Sequence, residues 1–335
     1  MTPSPPRRTA QPTRVADARV ARADAGPPHV THDGEALFVS VIVPVWNDAG
    51  LLDGCLRALE AQTYPGHLYE VIVVDNDSAG GGGEVVARHS CARVVRERRP
   101  GSYAARNRGL GHARGEVIAF TDADCLPAPD WVEKGAARLA RGGAWAVVAG
   151  RVEVFPRAQG RPNAVEQYEA LFALAQGEFV RRYGFGATAN LFAWKRAFER
   201  AGPFLAEVKS GGDLEWARRA AGCGYSVEYD AEVCVHHPAR ASLSQLYSKM
   251  VRVAGGLHDL RRIKGRAFLE FDRGPLWELL PPLRAVFKTL REPALRRRRD
   301  RLKVCAVLLF VRYVQAFERL RLSLPKAWSH HTTAR

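Results

Sequence analysis

Apolar residues along the first half of the chain fall into short runs separated by polar, glycine-rich stretches. Residues 38–44, 69–74 and 117–120 are nearly continuous in Val, Ile and Phe, and a shorter run spans 92–96. Runs of this length, bounded by turn residues, predict buried strands. Between them the spacing changes. Leu51-Leu52-x-x-Cys55-Leu56-x-x-Leu59 follows the helix-start residues Asn47-Asp48-Ala49-Gly50, and helices are also predicted over 84–89 and 102–113. Strands that alternate with helices and are apolar throughout predict a parallel sheet covered on both faces. Right-handed crossovers then bring the strand carboxyl ends to one edge. Beyond Trp131 the pattern is less regular. It predicts helices over 131–141 and 163–181 and another starting near Asp213. Strands are predicted over 145–155, 187–193, 226–229 and 233–235.

Chemistry-bearing residues cluster at the predicted strand ends. The run at 117–120 stops at Asp122 and Asp124, spaced i, i+2. Open α/β sheets bind ligands beyond the carboxyl ends of their strands. Two hard oxygen donors there can hold Mg²⁺ or Mn²⁺, which in turn can bridge a diphosphate; a solvated turn is the plainer reading of the same pair. Asp75 closes another strand, either as a ligand group or as an Asx-turn with Asn76 and Ser78, and Asp77 reads as a turn residue. Pro44 is expected to end the first strand, since proline cannot donate to a ladder. Residues 101–107 read as a helix N-terminus with Ser102 as cap, suited to a diphosphate. Arg106 there is either a ligand contact or a surface residue with a carboxylate partner. Asp213 stands where a helix cap belongs, after two glycines that allow close approach of a ligand.

Composition narrows the classes. The 335 residues are 47% hydrophobic, enough for one large or two small domains with a real core. The net charge of +15 is uneven. Residues 1–36 are rich in Arg and Pro and read as a disordered tail, and residues 291–303 hold seven basic and two acidic side chains. Such charge suits nucleic acid, anionic lipid or a phosphorylated ligand. No aromatic-interleaved basic module is present, so nucleic acid is not expected. The six cysteines are scattered without a C-x-x-C pair, which argues against zinc or disulfides and for a reducing, cytoplasmic compartment. No signal-peptide core and no run of about 18 apolar residues is visible.

Five segments in order carry a resemblance: Val41-Ile42-Val43-Pro44-Val45-Trp46-Asn47; Val73-Val74-Asp75-Asn76-Asp77-Ser78; Gly101-Ser102-Tyr103-Ala104-Ala105-Arg106-Asn107-Arg108-Gly109; Thr121-Asp122-Ala123-Asp124; and Gly211-Gly212-Asp213-Leu214-Glu215-Trp216. Together they resemble the family 2 glycosyltransferases, over roughly residues 37–240. The resemblance implies an inverting enzyme with the GT-A fold, a Rossmann-like, mostly parallel α/β sheet flanked by helices. Residues 241–335 would form a C-terminal helical extension. It also implies a nucleotide-sugar donor, by family habit a UDP-sugar, contacted by Pro44, Trp46, Asn47, Asp75, Arg106 and Asp122. Trp46 either stacks on the base or belongs to the core. Asp124 would ligate Mn²⁺ or Mg²⁺, and His237 would join it there or contact the diphosphate; a structural histidine is the plainer reading. Asp213 would be the general base; many relatives have Glu-Asp where Gly212-Asp213 stands, so the role rests on Asp213, with Glu215 as runner-up. Thr188, Asn190, Gln167 and Tyr168 would face the acceptor, a saccharide or lipid-linked hydroxyl compound of cell-surface polysaccharide or glycolipid synthesis.

Two alternatives belong to other classes. A sugar-phosphate nucleotidyltransferase should carry a glycine-rich phosphate loop after its first strand, where Pro44-Val45-Trp46-Asn47 stands instead. A non-catalytic membrane- or nucleic-acid-binding relative should lack the carboxylates, yet all are present. At the C-terminus, the basic stretch beside residues 304–311 suits anionic headgroups at the inner face of the cell membrane; a buried helix with a solvated Arg face is the competing reading.

Overall fold

The computed structural model describes residues 31–32, 35–80, 82–157, 161–269, 277 and 279–324. Most of the predicted tail, residues 1–30, lies outside the described residues. Its last part, Thr31–His32 (β1) and Glu35–Ala36 (β2), pairs as a short antiparallel hairpin.

An eight-stranded sheet forms the centre, in the order β5-β4-β3-β6-β9-β8-β10-β7. Its strands are β3 (Val39–Val45), β4 (Tyr69–Asp75), β5 (Ala92–Arg96), β6 (Val117–Thr121), β7 (Leu126–Pro127), β8 (Ala146–Phe155), β9 (Asn190–Trp194) and β10 (Ser226–Pro238). The pairs β3–β4, β3–β6, β4–β5 and β8–β10 are parallel; β9 runs antiparallel to both neighbours. Continuous apolar strands follow from burial on both faces. Val41, Val43, Val71 and Val73 pack under α1 (Ala49–Glu60) and α4 (Trp131–Gly142). Their neighbours Ile42, Ile72 and Val74 point the other way, toward α3 (Ser102–His112), α7 (Lys195–Ala201) and α8 (Gly212–Gly222).

Three local expectations change. Pro44 does not end its strand: β3 runs on through Val45, paired to β4. The missing N–H is harmless because β6 pairs with β3 only from Val39 to Ile42, which leaves that side open at Pro44. The predicted helix over 163–181 is two helices, α5 (Ala164–Phe172) and α6 (Gln176–Tyr183), with Leu174 at φ 51° between them. The buried Gln176 side chain holds the break, bonding the Ala187 N–H and the Ala187 and Asn190 carbonyls. The strands at 226–229 and 233–235 are one strand, β10, irregular between Asp230 and Cys234.

After residue 240 the chain stays packed on the rest. Helices α9 (Leu243–Lys264) and α11 (Arg298–Ser323) bury Leu246, Met250, Val307 and Val311 against Val165 of α5. Within 304–311 the buried-helix reading is the one observed, with Val304, Cys305, Val307, Leu308 and Val311 inside. The shorter α10 (Leu283–Leu290) precedes α11. Among the described residues, no helix is long and apolar enough to cross a membrane.

Candidate active site

A cavity of about 1280 Å³ opens at the carboxyl ends of β3, β4 and β6. It exceeds the roughly 300–1,000 Å³ of an ordinary small-molecule pocket, leaving room for two substrates. Of the predicted site residues, Pro44, Trp46, Arg106, Asp122, Asp124, Asp213 and His237 line it. Trp46 is 43% exposed, so it is not a core residue.

Asn47 and Asp75 are not on the cavity wall. They fix the loops beside it: Asn47 accepts from the Ala79 N–H at 2.9 Å, and Asp75 accepts at 3.0 Å from the N–H of Ser78, three residues on. Asn76, read from the sequence only as part of a turn, does line the wall. Its amide donates to the Glu97 and Arg99 carbonyls and accepts from the Gly101 N–H, so it ties the 97–101 loop to the end of β4.

Two carboxylate centres face the cavity. At the first, Asp122 Oδ1 accepts from Arg106 Nη2, an ion pair on a guanidinium only 5% exposed. Arg106 is therefore neither a surface residue nor free of a carboxylate. Its Nε is buried without a partner. Asp124 Oδ2 lies 3.4 Å from His237 Nε2. Burial pushes the Asp124 carboxyl above its ordinary value, and Asp122 adds to this, while the His237 charge opposes it. His237 Nδ1 is 2.8 Å from the Pro238 carbonyl oxygen, a contact that requires the proton on Nδ1.

At the second centre, Asp213 Oδ1 accepts from Tyr103 Oη at 3.1 Å and from the Leu214 N–H at 3.1 Å. Burial raises the Asp213 carboxyl above its ordinary value against the nearby Arg106 charge and these bonds. The Tyr103 phenol is pushed up in turn by its own burial, so it stays protonated as a donor. Neither predicted cap is present. Gly101 and Gly211 hold the N-cap positions of α3 and α8 without side-chain caps, both at positive φ. Gly212 is needed for packing: a Cβ there would meet the Tyr103 ring at 2.8 Å.

Three other expectations are corrected. Glu215 is fully buried and ion-paired with Arg219 and Lys264, off the cavity wall, so it cannot meet a substrate. Asn190 is also fully buried, with both polar ends used: it accepts from Trp131 Nε1 and donates to the Arg151 and Val233 carbonyls. Gln167 donates to the Pro162 carbonyl away from the cavity, whereas Thr188 and Tyr168 do line it.

Sequence reading did not foresee the far wall, where Arg240, Lys249 and Arg252 line the cavity. The last two come from α9, beyond the resemblance, and no motif marks them.

Comparison with known proteins agrees with this architecture. The family model described as glycosyl transferase family 2 matches residues 40–198. Glycosyltransferase AglE of Haloferax volcanii is 38% identical over 224 residues, 65% of this chain and 72% of the relative. Undecaprenyl-phosphate 4-deoxy-4-formamido-L-arabinose transferase of Pseudomonas paraeruginosa is 32% identical over 112 residues; this match spans 31% of the chain and 33% of that protein. Among solved structures, the mannosyltransferase PcManGT from Pyrobaculum calidifontis, in complex with GDP-Man and Mn²⁺, superposes with a TM-score of 0.53 at 21% identity, over 92% of this chain and 80% of that one. That likeness is one of fold, the GT-A arrangement. With the family model and the AglE match together, the chain belongs to glycosyl transferase family 2 and is a transferase enzyme.

Proposed function

We propose that the enzyme transfers a sugar, with inversion, from a nucleotide-sugar to an acceptor hydroxyl. The observation that carries this reading is that Asp124 and Asp213, from distant parts of the sequence, line one cavity together with Asp122 and His237. The donor base lies at the Pro44–Asp48 and Asn76–Asp77 rim, with Trp46 as its stacking surface, and Asn47 and Asp75 shape that rim from behind. Arg106 and Asp122 meet the ribose and diphosphate. A UDP-sugar is the first donor to test; the GDP-Man bound by PcManGT makes GDP-sugars the second.

The residues present fit a divalent ion. Asp124 Oδ2 and His237 Nε2 lie 3.4 Å apart on the cavity wall, an oxygen and a nitrogen donor within reach of one ion. The Pro238 carbonyl orients that ring in the way an outer partner orients a metal-ligating histidine. Cys125 lies in the same group, but burial holds its thiol well above the usual range, which leaves a hard O/N set suited to Mn²⁺ or Mg²⁺. When bound, the ion supplies Lewis-acid neutralisation of the diphosphate. Asp213 accepts the acceptor hydroxyl proton, and Tyr103 orients its carboxylate.

Tyr103→Phe tests the base. The phenol lowers the proton affinity of Asp213, so its loss raises it, and at any given pH more of the base is protonated. The acid limb of kcat/KM against pH is expected to move to higher pH, with the protein still folded. A limb that stays in place removes Tyr103 from control of the base.

Peripheral membrane contact is also proposed, at α10 rather than at the basic stretch alone. Leu283 and Phe287, one helical turn apart, are 61% and 58% exposed, and Leu280 just before the helix is 53% exposed. Arg284, Lys288 and Arg291 stand exposed among them. Such a face suits the interface of an anionic bilayer. Leu283→Glu with Phe287→Glu should abolish flotation with phosphatidylglycerol vesicles; unchanged flotation would discard this contact.

A further inference from the structure

The far wall of the cavity combines two chemistries on the same helices. From α9, Met250, Val253 and Leu257 line the cavity beside Lys249 and Arg252; from α5, Tyr168 and Phe172 do so with Glu169 between them. The apolar lining continues through Phe179 and Phe185, which stack at 5.2 Å, and Val311 of α11. With the donor's base assigned to Trp46, its diphosphate and sugar are polar and call for little of this apolar surface.

The charges on this wall are unbalanced. Glu169, 1% exposed, accepts from Arg240 Nη1 at 2.8 Å and from Lys249 Nζ at 2.9 Å. One carboxylate thus serves two cations, and Arg252 makes a third. Its guanidinium donates only to the Lys209 carbonyl, at 3.4 Å, and among the described residues no carboxylate pairs with it. Arg252 is half-buried, and burial depresses its proton affinity while the charges of Asp122 and Asp213 support it. Only one hydrogen bond occupies this guanidinium, which leaves donors for an anion. A phosphate presents the planar fork of oxygens that a guanidinium binds best.

We propose that the acceptor is a saccharide carried through a phosphate on an apolar chain, the phosphate seated on Arg252 beside Lys249 and Arg240, the chain against the apolar wall of α5, α9 and α11. This rests on the transfer reading above and specifies its second substrate. Arg252 lies within electrostatic reach of Asp213, so a phosphate there would hold the saccharide hydroxyl near the base. The balance of the transfer is unchanged: the hydroxyl oxygen forms the new glycosidic bond, Asp213 takes the proton, and the nucleoside diphosphate leaves with the electrons of the broken bond.

Calorimetry on the full chain with Mn²⁺ separates head from chain, using farnesyl phosphate, farnesol, inorganic phosphate and the nucleoside diphosphate. Farnesyl phosphate is expected to bind at least about tenfold tighter than farnesol or inorganic phosphate. Arg252→Ala should bring farnesyl phosphate to within about threefold of farnesol, Arg252→Lys should keep part of the preference, and the nucleoside diphosphate should bind both variants as it binds the parent. Equal binding of farnesol and farnesyl phosphate by the parent overturns the proposal, as does an Arg252→Ala variant that keeps the preference. If Arg252→Ala weakens the nucleoside diphosphate instead, the cations serve the donor and the acceptor assignment fails. Failure of the transfer reading itself would look different, as loss of donor binding by the parent protein.

Discussion

Asp213→Asn is expected to bind the donor as the parent does and to lose turnover by about 10²- to 10⁴-fold, the usual contribution of a positioned general base. The amide keeps the shape of the side chain and can still accept from Tyr103 and Leu214, so α8 should form and the melting temperature should hold. What it loses is the ability to take a proton. The pattern to look for is therefore a fall in kcat with little change in donor KM, the signature of an interaction made in the transition state. A fully active variant would reassign the base. Glu215, the obvious neighbour, is fixed between Arg219 and Lys264.

Asp124→Asn should have an effect of similar size by a different route. Even partners one step removed from a metal typically cost 10- to 100-fold in affinity when changed, so loss of a direct carboxylate ligand should weaken Mn²⁺ by more than about 100-fold. Calorimetric titration of Mn²⁺ in the presence of nucleoside diphosphate reads this directly. His237→Ala should weaken the ion as well, while Asp213→Asn should not. An Asp124→Asn variant that titrates normally would take Asp124 out of the metal role. Its fold should be unharmed, since burial already penalises the charged form of this side chain.

Much of this geometry was readable before the coordinates. The first half of the sheet follows from period and length: β5 begins and ends where the apolar run does, and β4 and β6 differ from it by one residue. Burial on both faces made β4 and β6 nearly continuous in apolar residues, a signal that survives without neighbours, whereas the edge strand β5 is only partly buried. Helix 163–181 failed because its break depends on Gln176 reaching Ala187 and Asn190, a long-range contact that no local pattern reports. The cap assignments to Ser102 and Asp213 failed for a related reason. Glycine at positive φ starts α3 and α8, and sequence shows only that glycine is there.

The site divides along the same line. Motif residues near strand ends could be placed because topology brings those ends to one edge. Asn190 looked like a sugar contact because its segment borders the cavity, yet its bonds to Trp131, Arg151 and Val233 consume it. Lys249 and Arg252 were invisible because α9 returns to the cavity only through packing on α5 and α11. Cations on a polar helix carry no mark of burial until the partner surface is known.

The central claim is that acidic groups from separate motifs gather around one cation-bound nucleotide-sugar. A thermal-shift screen of UDP-, GDP- and dTDP-sugars, with Mn²⁺ and with chelator, tests it most directly. At least one nucleotide-sugar should raise the melting temperature with Mn²⁺, and both chelation and Asp124→Asn should abolish that rise. A rise that persists in chelator and in Asp124→Asn, or no rise with any nucleotide-sugar, would contradict it.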